Sequence, residues 1–220
     1  MVQRQTLRLQ QMLCPLCGDD SIDAYHSDLH RDYLQCSLCW LVFVPADQQL
    51  SQQDEKNIYD QHQNSPDDIG YRHFLRRLTN PLLDRLKAGS QGLDFGCGPG
   101  PTLSVMLEEQ GHNVALYDLY YANDSAVLKR PYDFITSTEV IEHLAQPGAE
   151  LQRLWDILTP GGHLALMTKQ VRDREAFVHW HYKNDLTHIS FFSEKTFEYL
   201  GRQWGSTPKF IGADVIIFRK

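Results

Sequence analysis

The chain has 220 residues, 42% hydrophobic and 22% charged, with a formal net charge of −7. That length suits one ordinary globular domain with a small appendage, and the acidic balance argues against a nucleic-acid or anionic-membrane partner. No run approaches the roughly 18 apolar residues that cross a bilayer, and the opening MVQRQTLRLQQMLCP lacks the apolar stretch of a signal peptide, so the expectation is a cytoplasmic protein with reduced cysteines.

Residues 1–45 carry Cys14, Cys17, Cys36 and Cys39 in the spacing C-x2-C-x18-C-x2-C. That is the spacing of tetrahedral zinc knuckles, and four thiolates leave no open position, so the expected zinc is structural. Such a small fragment lacks a core of its own, and the metal supplies its folding energy. Gly18 permits the turn after the first knuckle. The run YLQCSLCWLVFVP reads as a strand entering the second knuckle and an apolar strand leaving it. Up to Leu50, three basic residues (Arg4, Arg8, Arg31) face six acids (Asp19, Asp20, Asp23, Asp28, Asp32, Asp47). A phosphate-binding module needs the opposite sign. The ribbon is therefore expected to pack against the rest of the chain or to shape its substrate pocket.

Residues 46–90 read as a helical connecting arm. It is polar at first, turns helical near DEKNIYD, and continues in YRHFLRRLTNPLLDRLK. There Phe74, Leu75, Leu78, Leu82, Leu83 and Leu86 recur at helical spacing. Pro81 fits the first turn of a second helix, with Asn80 as its N-cap. The arm carries Tyr59, His62, Asn64, Tyr71 and Arg72; Tyr59 or Tyr71 is its candidate for reaching a ligand, although ordinary amphipathic packing explains the tyrosines equally well.

Residues 91–220 alternate strand and helix. QGLDF, NVALYD, YDFITSTEV, HLALMT and ADVIIF read as strands. PTLSVMLEEQ, GAELQRLWDIL (ended by Pro160-Gly161-Gly162) and SEKTFEYLGRQW read as helices. The alternation predicts a doubly wound α/β sheet. PKFIGADVIIFRK, two runs around Gly212, suits an antiparallel pair at its end. LDFGCGPG follows a strand and precedes a helix. Gly96, Gly98 and Gly100 let the backbone approach a ligand closely, with Asp94 at the strand end. The third glycine follows the second at an offset of two, unlike the dinucleotide fingerprint. Asp118 ends NVALYD 24 residues after Asp94, where an acid accepts hydrogen bonds from ribose hydroxyls.

LDFGCGPG, YDLY, YDFITSTEVIEHL and LTPGGHLALMT, in that order, resemble the class I S-adenosylmethionine-dependent methyltransferases. The resemblance runs from Leu93 to the C-terminus. It implies an α/β, Rossmann-like seven-stranded sheet with its last strand antiparallel and S-adenosylmethionine lying across the strand ends. Position by position, it implies cofactor contacts at Asp94, Gly96, Cys97, Gly98 and Gly100, then at Asp118 and Leu119, then at Thr138 and Glu139. One departure matters. Only 15 steps separate Asp118 from Asp133, so the third, edge strand must be short or absent. Tyr120, Tyr121, Asn123 or Asp124 then become candidates for the adenine contact. STEVIEHL stands where amine methyltransferases of bases carry N-P-P-[YF], which disfavours that chemistry. The chain as a whole resembles zinc-ribbon-bearing bacterial methyltransferases related to the ubiquinone-type branch.

A helix beginning after Thr138 would put Glu139, Glu142 and His143 on one face. The E-x-x-E-H segment resembles that of ubiquinone-pathway O-methyltransferases and small-RNA 3′-end 2′-O-methyltransferases, where it is associated with a bound metal. Carboxylates and an imidazole can hold Mg²⁺ or Mn²⁺, serve acid–base work or brace a loop; the metal is the less favoured reading. KQVRDREAFVHWHYKNDLTHISFF should cross the mouth of the active site. It brings His179, Trp180, His181, Tyr182, Asp185 and His188. His179 and His181 alternate, as on one face of an extended segment. DLTHISFFSEKTF resembles the histidine-bearing segment of ubiquinone-type methyltransferases. His188, with an ordinary pKa near 6.5, is the leading general base, with Glu139 and His143 completing the catalytic set. The expected acceptor is a small molecule methylated at oxygen. One alternative is an RNA or protein acceptor recognised through the ribbon and a basic patch of Arg72, Arg76, Arg77, Arg85 and Lys87. Another is a cofactor-binding protein without turnover. The sequence does not specify an oligomeric state.

Overall fold

The computed structural model describes residues 12–61 and 64–220. His62 and most of the opening segment lie outside the described residues. The first three strands are β1 (Ile22–Ser27), β2 (Asp32–Cys36) and β3 (Val42–Phe43), followed by helices α1 (Gln52–Tyr59) and α2 (Ile69–Leu83). The alternating part comprises β4 (Gln91–Phe95), α3 (Thr102–Glu108), β5 (Asn113–Tyr117), β6 (Tyr132–Thr138), α4 (Pro147–Asp156) and β7 (Leu158–Met167). After it come α5 (Arg174–Val178), β8 (Ser190–Phe191), α6 (Glu194–Trp204), β9 (Lys209–Ile211) and β10 (Val215–Arg219).

The main sheet has six strands in the order β5-β4-β6-β7-β10-β9. β5, β4, β6 and β7 are parallel, and β10 is antiparallel to both β7 and β9. Its central residues are apolar on both faces, as parallel strands covered by helices require. Leu93, Phe134, Ile135 and Leu164 are fully buried. This is the expected sheet without its edge strand. After Asp118 the chain turns tightly through a bridge to Ala122, and Val127–Lys129 form a 3-10 turn that tucks Val127 and Leu128 into the core.

Several local expectations fail for identifiable reasons. YRHFLRRLTNPLL is one helix, not two. Pro81 lies near its C-terminal end, where it removes a single hydrogen bond, while Leu75, Leu78 and Leu82 keep one buried stripe along the whole length. Pro160-Gly161-Gly162 does not end α4, which stops at Asp156; it forms a bulge inside β7. There the register jumps from Tyr132↔Leu158 to Phe134↔His163, and Gly161 takes φ +84. No α-helix follows Thr138. The Glu139 N–H donates to the Met167 carbonyl at 2.8 Å, extending the sheet by one residue, after which Glu139 reverses the chain at φ +53. Only a 3-10 turn, Ile141–His143, follows. Glu139, Glu142 and His143 therefore do not share a helical face. His179 and His181 are not on an extended segment either. One ends α5, the other opens the 3-10 turn His181–Asn184, and both are exposed.

The cysteine segment is tied into the rest. Its antiparallel sheet has the order β1-β2-β3-β8, so its fourth strand comes from the insert after β7. One core joins Cys36, Leu41 and Phe43 to Ile141, Leu151 and Phe192. α4 carries Gly148 where it meets the first knuckle. Its N–H donates to the Pro15 carbonyl at 3.2 Å, and a Cβ there would lie 2.1 Å from the Leu16 carbonyl oxygen.

Candidate active site

A cleft of about 690 Å³ opens at the C-terminal ends of β4, β5 and β6, within the roughly 300–1,000 Å³ of small-molecule sites. The loop after β4 forms one wall. Gly96 (φ +79) and Gly98 (φ +65) require the left-handed region. A Cβ on Gly96 would lie 2.4 Å from a methyl group of Val140. Asp118, just past β5, accepts from the Gly98 N–H at 2.9 Å and from the Tyr120 and Tyr121 N–H groups at 2.8 and 3.1 Å. Its carboxylate is thereby fixed at the cleft wall. Cys97, Leu119, Thr138 and Glu139 also line the cleft. Burial, reinforced by Asp94 and Asp118, pushes the Cys97 thiol up to about 12, so it stays protonated.

Asp94 lies beneath this wall, buried, and accepts from the Thr136 hydroxyl at 2.9 Å. Burial pushes its carboxyl up to about 7, against the pull of Thr136 and with the help of Asp118. Gly100 faces the arm instead of the cleft: a Cβ there would lie 2.1 Å from the Asn64 carbonyl oxygen.

The arm roofs the cleft with Glu55, Tyr59, Asn64 and Tyr71. Tyr59 and Tyr120 donate to opposite oxygens of Glu55 at 2.8 and 2.7 Å, and Tyr121 donates to Asp60 at 2.7 Å. The short segment after Asp118 thus anchors the arm. Tyr120 and Tyr121 line the cleft as well; Asn123 and Asp124 are not among its lining residues.

At the far end stand His143, Asp185, Thr187 and His188. The His143 Nδ1 lies 3.1 Å from the Thr187 carbonyl, and the His188 Nδ1 lies 2.7 Å from the Tyr182 carbonyl. A carbonyl only accepts, so each Nδ1 carries the hydrogen, and the His188 ring, when neutral, keeps its lone pair on Nε2. The two rings meet edge to face at 4.6 Å. One ligand atom each from Glu142, His143 and His188 falls within 4.8 Å of the others. Burial, then the neighbouring His143, lowers His188 to about 4, below the ordinary value expected from sequence. Glu142 is fully buried, with one oxygen on the Tyr182 hydroxyl and the other without a partner among the described residues. The same hydroxyl lies 3.2 Å from Glu139 Oε2. One phenol hydrogen cannot serve two carboxylates, so the trio needs a further proton. Burial raises both acids, as that proton requires.

The four cysteine sulfurs lie within 4.8 Å of one another, with Cys14–Cys39 at 3.4 Å and Cys17–Cys36 at 3.6 Å. Zinc–sulfur bonds of about 2.3 Å in a tetrahedron put sulfurs about 3.8 Å apart, so the donor set fits zinc. The Cys14–Cys39 hydrogen bond lowers Cys14 to about 6 and raises Cys39, while burial raises Cys17 to about 12. Both knuckles close with a positive φ: Gly18 (φ +76), and Trp40 (φ +64) with the Lys195 ammonium 3.8 Å from its ring centroid.

Residues 68–207 match the methyltransferase-domain family, across most of the alternating sheet and the helix before it. The chain belongs to the class I S-adenosylmethionine-dependent methyltransferases. The fold of this methyltransferase is similar to Burkholderia thailandensis 1,6-didemethyltoxoflavin-N1-methyltransferase, solved with 1,6-didemethyltoxoflavin and S-adenosylhomocysteine. That likeness is at 17% identity with a TM-score of 0.51, covering 90% of this chain and 99% of that one. A methyltransferase from Archaeoglobus fulgidus is similar at 14% identity and a TM-score of 0.51, covering 68% of this chain and 99% of that one. A curated relative, the tRNA 5-carboxymethoxyuridine methyltransferase of Escherichia coli K12, is 35% identical over 101 residues. The match spans 34% of the methyltransferase and 38% of that relative. No described helix is long and apolar enough to cross a membrane.

Sequence reasoning missed Arg31, Lys183 and Glu55 at this site. Arg31 contacts the insert across more than 150 residues of chain, a separation that no local spacing encodes. In the methyltransferase's basic patch, Arg72 pairs with Glu109 and Arg77 with Asp214, so the patch is partly neutralised.

Proposed function

We propose that this methyltransferase moves a methyl group from S-adenosylmethionine to an oxygen of a small molecule held at the His143–His188 end of the cleft, beside the Tyr59 ring that packs edge to face on His143. The cofactor supplies an electrophilic methyl on a sulfonium. Gly96 to Gly98 would admit it closely, Asp118 would accept from its ribose hydroxyls, Asp94 once ionised would favour its positive charges, and Glu139 lines the same cleft. The observation that carries the reading is His188 in the cleft lining with its Nδ1 on the Tyr182 carbonyl, a tautomer that leaves Nε2, 3.8 Å from Asp185, as the accepting nitrogen.

An imidazole held near 4 is a weak base for a resting alcohol. It acts here as a hydrogen-bond acceptor that orients the acceptor O–H. An oxygen that gains a methyl group while still protonated becomes a strong acid, and His188 takes the proton as the new O–C bond forms. His143 shares the space and helps align the acceptor. Proton handling fits this end better than Mg²⁺, because two imidazoles and one carboxyl suit that oxygen-seeking ion poorly.

The E. coli relative's name favours a second reading, a tRNA acceptor. Glu55, Asp118 and Asp185 line the cleft with acid, and a negative wall repels a phosphate backbone. Zinc at the four cysteines would serve structure. Isothermal titration with S-adenosylmethionine and S-adenosylhomocysteine tests the cofactor; no binding of either at millimolar concentration sinks the proposal. Labelled methyl transfer into fractionated extract then separates acceptors. Label in small molecules supports the first reading; label in RNA, with steeply salt-dependent RNA binding, supports the second.

A further inference from the structure

We propose that Arg31, in the cysteine ribbon, is a positioning residue for methyl transfer: its guanidinium holds the backbone that aims His188. The inference rests on the reading of His188 as proton acceptor. Arg31 is 4% exposed. Its Nη1 donates to the Leu186 carbonyl at 2.9 Å, and its Nη2 to the carbonyls of Lys183 and Asp185 at 2.7 and 2.9 Å. Its Nε donates to the Tyr33 hydroxyl at 3.0 Å. One planar fork thus addresses three carbonyls of a four-residue stretch, which the point charge of a lysine cannot do.

That stretch begins one residue after Tyr182, whose carbonyl sets the His188 tautomer, and ends two residues before His188. The insert braces it locally, with the Thr187 N–H and hydroxyl donating to Asp185 Oδ1 at 2.9 and 2.7 Å, and the ribbon restrains it further. Lys183, itself buried, pairs with Asp28 at 3.0 Å. Asp28 in turn accepts from the Arg31 main-chain N–H at 3.1 Å and from the Tyr33 hydroxyl at 3.0 Å. The Val44 N–H donates to the Ile189 carbonyl at 2.9 Å, where β3 pairs with β8. From the opposite side the Ile189 N–H donates to the Glu142 carbonyl at 2.8 Å, and the Ser190 hydroxyl to the Leu144 carbonyl at 2.8 Å. The His188 segment is clamped between the ribbon and the turn after β6. Strand pairing alone would join the two parts. Burying a guanidinium against three carbonyls is a costly addition, and the backbone it orders carries the proton acceptor.

The test uses full-length, zinc-loaded protein labelled with ¹⁵N-histidine. At about pH 7.5, where an ordinary imidazole is neutral, wild-type His188 should show one tautomer, hydrogen on Nδ1. In Arg31→Met the signal should become a mixture of tautomers. The amides of His188 and Ile189 should exchange at least about tenfold faster, while β4 and β7 amides and S-adenosylhomocysteine affinity stay within about threefold. Arg31→Lys should resemble Arg31→Met more than wild type. Should Arg31→Met lose β4 and β7 protection as well, Arg31→Lys decides by the same readouts. A wild-type tautomer and exchange pattern in a folded variant overturns the proposal. A wild-type protein that binds no S-adenosylhomocysteine overturns the methyltransfer reading instead, while the tautomer still judges the clamp.

Discussion

His188 and Asp94 illustrate how the same burial acts oppositely on a base and an acid. Desolvation disfavours the charged form, so it lowers the imidazole and raises the carboxyl. His188→Ala should cut kcat by about 10²–10⁴, as for loss of a positioned proton acceptor, with S-adenosylhomocysteine affinity unchanged; near-normal turnover would remove it from the catalytic set. Brief chelation, which the four-thiolate zinc should resist, should leave turnover largely intact, and loss reversed by Mn²⁺ would reassign Glu142, His143 and His188 as ligands. Asp94 gives a pH signature. A carboxyl raised to about 7 in the folded state binds its proton more tightly there than in the unfolded chain. Its penalty on stability is absent below the unfolded value near 4, grows through the window up to about 7, and is complete above it. Asp94→Asn should therefore stabilise the cofactor-free protein relative to wild type more at about pH 8 than at about pH 4, by at most about 4 kcal/mol. Chemical unfolding at both pH values measures it, and an equal difference at the two would contradict the burial argument. The same variant should weaken S-adenosylmethionine binding.

At the scale of elements, close packing sets the tolerances. Gly92, the second residue of β4, lies against the far edge of the Phe134 ring from β6, and a Cβ there would meet that edge at 2.1 Å. Gly92→Ala should destabilise the protein by about 1–3 kcal/mol through overpacking, read as a lower urea midpoint with unchanged slope. An unchanged midpoint would mean that Phe134 has room to move. β4, β6 and the end of β7 were legible because buried parallel strands are apolar runs. α6 was legible from its periodicity, and its capping box, Ser193 with Thr196, closes as a pair of reciprocal hydrogen bonds. Pro81, Pro160-Gly161-Gly162 and the turn at Glu139 were misread together, because local rules see punctuation where the fold offers compensation. A buried leucine stripe carries the helix through Pro81. Sheet pairing carries β7 through its bulge. A main-chain hydrogen bond to Met167 forces Glu139 to turn.

Across the whole molecule, ribbon and catalytic sheet depend on each other. Zinc at Cys14, Cys17, Cys36 and Cys39 would hold β2 and β3, β3 pairs with β8, and β8 begins two residues after His188. Stripping the metal, or Cys36→Ser, should therefore lower the thermal midpoint. It should also deprotect the amides of residues 186–191, far from the metal in sequence, before those of β4. Equal deprotection of both would show a single cooperative unit, and protection retained at 186–191 would show an independent ribbon. S-adenosylhomocysteine at about 100 times its Kd should add about 2.7 kcal/mol to stability.

By itself the sequence determined the sheet class, the glycine-rich loop with Asp94 and Asp118, an edge strand short or absent, and the four-cysteine cluster. Each is written in short-range chemistry: an apolar run, a glycine that must take a positive φ, fifteen steps too few for a strand, thiols at knuckle spacing. Only the tertiary structure decided that Glu142, His143 and His188 meet while Glu139 turns aside. It alone decided that burial takes His188 well below its ordinary value and that Arg31 reaches the insert. Those outcomes depend on contacts across roughly 40 to 155 positions of chain, and on desolvation. Both exist only once the ribbon, the insert and the sheet have packed together.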